Sequence, residues 1–329
     1  GAFVFARAET FAGLVAGRIL IGIGVSACLM AAFKSFAMWL PASRVPFANS
    51  IQLTAGGIGA IAATVPVEMA LEFIDWRTMF IVLGVLALLG SGLIFILVPE
   101  KQGTGKPEPA RELLAGLKHI LTDRRFWMIA PWGIAGQASF IALFGLWSGP
   151  WLRNVAGLDR LSAANGLMVM SAAMMVGYLL SGRLVEVLAR RGIPAMRVAA
   201  WGMSAFVLVQ VLLAVPWTGM PILLWGAFGF FGAFCILPYA ILPGFFPGER
   251  SGRVITSLNL LVFGVAFFEQ WLVGVIIDFW PAEAGISDPR GFTYGFGLLI
   301  LAQVLGGLWY FSQSRTPALS ASGKEAFNE

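Results

Sequence analysis

The chain reads as long apolar runs separated by short polar islands, without the strict alternation of a half-buried strand. A bilayer core takes about 20 apolar residues per helix. Nine runs reach that length: approximately Phe11–Trp39, Asn49–Phe73, Thr78–Val98, Phe126–Leu152, Ser162–Gly182, Ala195–Val215, Gly219–Phe245, Arg253–Phe279 and Gly291–Phe311. Gly1–Ala6 has the composition of the tail of a preceding helix. The longest polar segment, Glu100–Arg125, opens with Gly103, Gly105, Pro107 and Pro109, a linker composition. From Ala110 it becomes helical: Leu113, Leu114, Leu117, Ile120 and Leu121 form one apolar stripe, with Arg111, Lys118 and Arg124 elsewhere. That pattern predicts an amphipathic helix on the cytoplasmic surface of a membrane. The fold class expected is all-α and polytopic.

Composition agrees. Of 329 residues, 58% are apolar and 12% charged, with mean hydropathy +0.83, against about half apolar and a quarter charged in a soluble domain. Forty glycines suit closely approaching membrane helices. The formal charge of +5 needs no nucleic-acid partner, because loop arginines and lysines supply it. Placing Lys34 and Arg44 in the cytoplasm puts sixteen of the 22 basic residues on that face. Five (Arg7, Arg77, Arg153, Arg160 and Arg290) fall on the other, and Arg18 lies inside a helix. This positive-inside bias predicts a cytoplasmic C-terminus in a plasma (inner) membrane. Cys28 and Cys235 both sit in apolar runs and read as small buried apolar residues. No zinc spacing, disulfide framework, nucleophile–base pair or paired acids stand in the spans, so no metal, cofactor or intramembrane enzyme is expected.

The chain also repeats itself. Trp39-Leu40-Pro41-Ala42-Ser43-Arg44 is matched by Phe245-Phe246-Pro247-Gly248-Glu249-Arg250, Cys28 by Cys235, and Ile74-Asp75-Trp76 by Ile277-Asp278-Phe279. The separations, 206, 207 and 203 residues, indicate two halves in parallel orientation.

Gly182 to Gly192, reading G-R-L-V-E-V-L-A-R-R-G, is a polar island expected to make a tight turn. Gly182 would allow close helix approach, and Glu186 is its one acid among Arg183, Arg190 and Arg191. The segment resembles the short cytoplasmic loop motif of the major facilitator superfamily, Gly-x-x-x-Asp-(Arg)-x-Gly-Arg-(Arg/Lys). Glu186 stands for the Asp and Ala189 for the second Gly. Arg18 followed by Gly22-Ile23-Gly24 resembles the family's helix-four motif. The drug-antiporter signature is not met, because Pro66 is not preceded by Gly. The resemblance implies a two-bundle fold of twelve helices, of which this chain would hold helices four to twelve. Residues 1–99 would then be the last three helices of the N-terminal bundle, 100–125 the linker, 126–314 the C-terminal six-helix bundle and 315–329 a cytoplasmic tail. It also implies a conformational-switch role for Gly182, Arg183, Glu186, Arg190 and Arg191, the acid holding two helix ends together in one state and releasing them in another.

Substrate and coupling candidates are the polar groups inside spans. Arg18 is foremost, since a cation at helix depth costs about 2.5–3.5 kcal/mol on insertion scales and normally faces a cavity or partner. It would bind an anionic group, act on a proton-carrying acid, or pair structurally with another helix. Glu269 and Gln270 follow; Asn259 lies eleven residues before Gln270, near one face, with Glu269 offset by one position. Glu68 is either protonatable or interfacial, and Lys34 either snorkels or meets substrate. Gln52, Gln137, Asn165, Gln210 and Gln303 add one amide to many of the spans, as suits a polar midplane cavity. His119, on the amphipathic helix, has a surface role. Trp147-Ser148-Gly149-Pro150-Trp151 is expected to stop a helix at the outer interface. The expected function is secondary active transport of a small organic solute, anionic by the hint of Arg18 and Lys34, with proton coupling through Glu269 or Glu68, by a monomer. A non-transporting sensor or scaffold of the same fold, or an inactive fragment, is the alternative.

Overall fold

The computed structural model describes residues 1–26, 28–41, 44–98, 110–215, 219–247, 250–280 and 287–313. The described residues contain helices and no strand. In chain order the helices are α1 (Ala2–Arg7), α2 (Phe11–Ser26), α3 (Cys28–Trp39), α4 (Val45–Ala62), α5 (Val65–Ala70), α6 (Trp76–Leu97), α7 (Ala110–Thr122), α8 (Arg124–Ala142), α9 (Ser148–Asn154), α10 (Arg160–Ala189), α11 (Ala195–Ala214), α12 (Pro221–Gly232), α13 (Leu237–Ile241), α14 (Ser251–Ile277) and α15 (Pro289–Gln313). They form two compact units, Gly1–Pro107 and Glu108–Glu329.

Seven runs among the described residues are long and apolar enough to cross a membrane. Each coincides with one of the last seven expected spans. The second expected span is corrected: it is two helices, α4 and α5. The first is described as α2 and α3 on either side of Ala27, which lies outside the described residues. Between α4 and α5, Pro66 in the first turn of α5 has no N–H to give the preceding turn. Thr64 before it leaves the helical region at φ −105°, ψ −114°. The amphipathic helix expected from Ala110 is present as α7. The linker before it and the tail after Gln313 lie outside the described residues.

In the first unit α1 packs on α2 and α6. Gly17 makes the first contact possible, since a Cβ there would stand 2.6 Å from the Phe5 backbone nitrogen. Phe5 meets Phe80 at a tilt and Trp76 edge-on, at 4.5 and 5.5 Å between ring centres. Asp75 caps α6 by accepting from the Thr78 N–H at 3.0 Å. A Cβ on Gly56 or Gly59 would meet nothing within 4 Å among the described residues. Cys28, expected to be buried, is exposed.

The second unit is a bundle around an aromatic core. Phe140, Phe206 and Phe228 meet at 4.9–6.1 Å between ring centres. Trp225 joins them and touches Trp151 edge-on at 5.7 Å. α10 and α12 touch backbone to backbone: a Cβ on Gly177 would strike the Phe230 carbonyl, and one on Gly229 the Met170 carbonyl. Small residues at such crossings let dispersion hold helices together where lipid leaves no hydrophobic drive.

Candidate functional site

α8 and α14 lie side by side, and their seam holds the acidic candidate. Glu269, on α14, is 4% exposed. Its Oε1 accepts from the Ser139 hydroxyl of α8 at 3.3 Å, and its Oε2 is buried with no hydrogen-bond partner among the described residues. Two residues before Ser139, Gln137 is also buried, with its Oε1 unsatisfied. Buried polar atoms are nearly always paired; these two oxygens, with the Trp225 indole N–H, are the buried side-chain atoms left unpaired among the described residues. Glu269 thus faces a neighbouring helix, one of the options its offset left open.

Below Ser139 the helix widens into a π-turn over Leu143–Trp147 before α9 resumes. Pro150 lacks an N–H and its ring crowds the carbonyl four residues back, and the wider turn precedes it. The expected stop at Gly149-Pro150 is therefore corrected: the helical run continues to Asn154. Trp147 on the π-turn donates its indole N–H to the Gln270 carbonyl at 3.1 Å. The Gln270 side-chain nitrogen lies beside Gly145, 3.6 Å from where a Cβ would be, an ordinary contact distance. Trp151 is fully buried in the bundle, donating to the Leu213 carbonyl at 3.1 Å.

Other candidates are distributed through the second unit. Asn259 accepts from the Tyr239 hydroxyl at 3.2 Å, tying α13 to α14. Gln210 of α11 and Gln303 of α15 exchange amide bonds at 2.9 and 3.0 Å in full burial. Asn165 is half-buried on α10. Ser139, Trp147 and Tyr239 were absent from the sequence candidates; a tyrosine inside an apolar span, in a chain with four, was the one available signal.

In the first unit Arg18 stands on α2 with its guanidinium 4.6 Å from the Phe5 ring centre and 5.5 Å from that of Phe80. Among the described residues no carboxylate pairs with it. Cation–π contact leaves the N–H fork free to bind an oxyanion. Gln52 on α4 and Glu68 on α5 are half-buried. Lys34 belongs to α3, and its side chain lies outside the described residues.

The loop motif is helical rather than a turn. α10 runs through Gly182, Arg183 and Glu186 to Ala189, and the chain reverses only over Arg190–Gly192, with Gly192 at φ +74°. Glu186 pairs within its own helix end, to Arg183 and Arg190, each at 2.7 Å. A Cβ on Gly182 would meet nothing. In this conformation the acid is engaged along one helix rather than between two.

Known proteins place the fold. The Major Facilitator Superfamily profile matches residues 1–268. The hexuronate transporters of Escherichia coli K12 and O157:H7 are each 24% identical over 98% of this chain and 78% of their own. A bacterial homolog of the human lysosomal transporter Spinster, inward-facing and occupied, superposes with TM-score 0.68 at 18% identity, over 96% of this chain and 79% of that one. The chain therefore belongs to the major facilitator superfamily, a multi-pass membrane protein that acts as a secondary transporter of a small solute and not as an enzyme.

Proposed function

We propose that the solute is a small organic anion, with a hexuronate-type sugar acid as the first candidate. The observation that carries this reading is Arg18: a guanidinium on an apolar helix, stacked on Phe5 and Phe80, with no carboxylate partner among the described residues. A carboxylate substrate matches its fork in two parallel hydrogen bonds. The 24% identity to hexuronate transporters supports the same class. Glu269 carries the coupling proton, taking it up and releasing it as α8 and α14 move; burial beside one hydroxyl makes its charge costly unless a partner arrives. Glu186 exchanges its arginines for a partner on another helix during the cycle. The protein works as a monomer in the plasma membrane with its C-terminus in the cytoplasm.

The test is uptake of labelled hexuronate into proteoliposomes. Saturable uptake, competed by sugar acids and not by neutral hexoses, is expected. Arg18→Ala should reduce it by about 10–100-fold, the weight of a charged hydrogen bond, without altering the melting temperature. Equal competition by neutral hexoses with normal Arg18→Ala kinetics would overturn the anionic reading. Glu269→Gln should transport without responding to an imposed pH gradient; a preserved response would remove Glu269 from the coupling role.

A further inference from the structure

The buried serines of the second unit share one habit, and Ser139 departs from it. Ser148, Ser171, Ser181 and Ser257 each give the hydroxyl hydrogen to a carbonyl three or four residues back in their own helix, at 2.7–3.1 Å. That bond is the local default for a serine inside a helix. Ser139 is 0% exposed, yet its hydroxyl donates not along α8 but across to Glu269 Oε1 on α14, at 3.3 Å. A carboxylate draws it there, because a bond to an ionised oxygen is about twice as strong as one to a neutral carbonyl. Since Oε2 has no partner, Ser139 is the one side-chain donor that Glu269 has among the described residues.

The charged and titratable groups of the helices packed on α14 stand toward their ends. On α14 itself Arg253 lies sixteen residues before Glu269 and Asp278 nine after, about 24 and 13 Å along the axis. α7, which carries Arg111, Glu112, Lys118 and His119, meets α14 at Arg253 through Gly116. Arg124 and Arg125 open α8, at least fourteen residues before Ser139. On α15, Gly291 lies against Ile277 and Gly295 against Val273, a register that sets Leu299 level with Glu269. Arg290 and Tyr294 fall to one side of that level and Tyr310 to the other. Tyr239 of α13 bonds Asn259, ten residues before Glu269.

A proton arriving on Oε1 reverses the direction of the Ser139 bond. A serine hydroxyl has one donor and two acceptor sites. Facing the carboxylate, it donates. Facing the protonated acid, its Oγ accepts, and its own hydrogen is released to the Ala135 carbonyl four residues back, the bond the other serines already make. Turning one hydroxyl thus serves Glu269 in both protonation states, and the unpartnered Oε2 costs less once the charge is gone.

We propose that Ser139 is the positioning residue of the coupling acid: it donates to Glu269 while the carboxylate is charged, accepts from it once the proton is bound, and so sets the pH at which Glu269 loads. This rests on Glu269 as the proton carrier.

The test is a pH titration of the purified full chain by infrared difference spectroscopy, in which the carboxyl band missing from Glu269→Gln reports Glu269. The charged bond is the stronger of the two that Ser139 makes, so Ser139→Ala should raise the midpoint of that band by about one pH unit. Ser139→Thr keeps a hydroxyl and should stay near the parent. Ser171→Ala, the same truncation at a serine bonded within its own helix, should leave the midpoint in place. Should Ser139→Ala fail to fold, Ser139→Cys, with a weak donor, should show a smaller rise in the same direction. An unmoved midpoint in the Ser139 variants, or an equal move in Ser171→Ala, overturns the proposal. Labelled hexuronate uptake under an imposed pH gradient tells the two roles apart. A raised midpoint with uptake blind to the gradient removes Glu269 from coupling and leaves Ser139 as the partner of a titrating acid. A gradient response lost in Glu269→Gln, with the Ser139→Ala midpoint unmoved, removes Ser139 alone. Identical spectra for the parent and Glu269→Gln sink both.

Discussion

Only 6% of the apolar window of α6 is buried within the protein, against 72% in the run Arg124–Asn154, although α6 is the more hydropathic of the two. In water the order would be reversed. In a bilayer, lipid tails are as apolar as leucine, and apolar character alone gives a helix no reason to seek protein. What distinguishes the buried run is small and polar content. Gly133 and Gly136 approach so closely that a Cβ would stand 2.9 Å from Pro238 and 3.1 Å from the Cys235 sulfur. Ala130, Ala138, Ser139 and Gln137 fill the same faces. α6 has glycines too, but Gly90 and Gly92 face open space, among exposed Leu86, Leu88, Leu89, Phe95 and Ile96. The presence of glycine is therefore not informative; what stands opposite it is.

The contrast can be broken most sharply by adding the same side chain in both places. Gly229→Val, driven into the Met170 backbone, should cost about 3 kcal/mol, whereas Gly90→Val should stay within about 0.5 kcal/mol of the parent. Thermal unfolding in detergent reads both, and equal losses would end the distinction between the two helices. Next in size is the amide pair between α11 and α15. Gln210→Leu strands the buried Gln303 amide and should cost about 1–3 kcal/mol. Gln210→Leu with Gln303→Leu should recover most of that loss, showing that polar pairing rather than volume sets the seam.

The smallest effect lies at the start of α8. Asp123→Ala removes its cap and should cost about 1 kcal/mol. The Arg125 guanidinium, and after it the Arg125 N–H, hold the Asp123 carboxyl below its ordinary 3.8. With a lowered folded value, the stabilisation is fully present above pH 3.8 and fades as the pH falls through that lowered value. The melting temperature of the parent should therefore drop more between pH 6 and pH 3 than that of Asp123→Ala; parallel drops would show that the cap is not what makes α8 sensitive.

Much of the architecture was legible. Six spans fall within two residues of their expected ends, and the seventh runs on from Gly182 to Ala189, because about 20 apolar residues can do little else in a bilayer. The stripe of α7 was equally readable, since its polar face leaves one solution. The misreadings share a cause. Gly182 and Gly149-Pro150 look like helix stops in one dimension. Yet α10 continues through bonds from Glu186 to Arg183 and Arg190, one turn on either side. The other run continues by opening a π-turn ahead of its proline. Local punctuation was outweighed by bonds made in the next turn.

Of the site, the residue types were visible and their partners were not. Arg18 and Glu269 stand out in any reading, because a charge inside a span is costly wherever it points. That Glu269 meets Ser139, 130 positions away, and that Gln210 meets Gln303 across 93, follows from no periodicity. A helix apolar on all sides has no preferred face. Its rotation is chosen by which glycine lies opposite which backbone and which amide finds its complement. The sequence alone determined that this chain crosses a membrane as helices, how long they are and which charges they carry. Only the tertiary structure decided which way each helix turns, because in lipid that choice rests on close packing and polar pairing between distant segments.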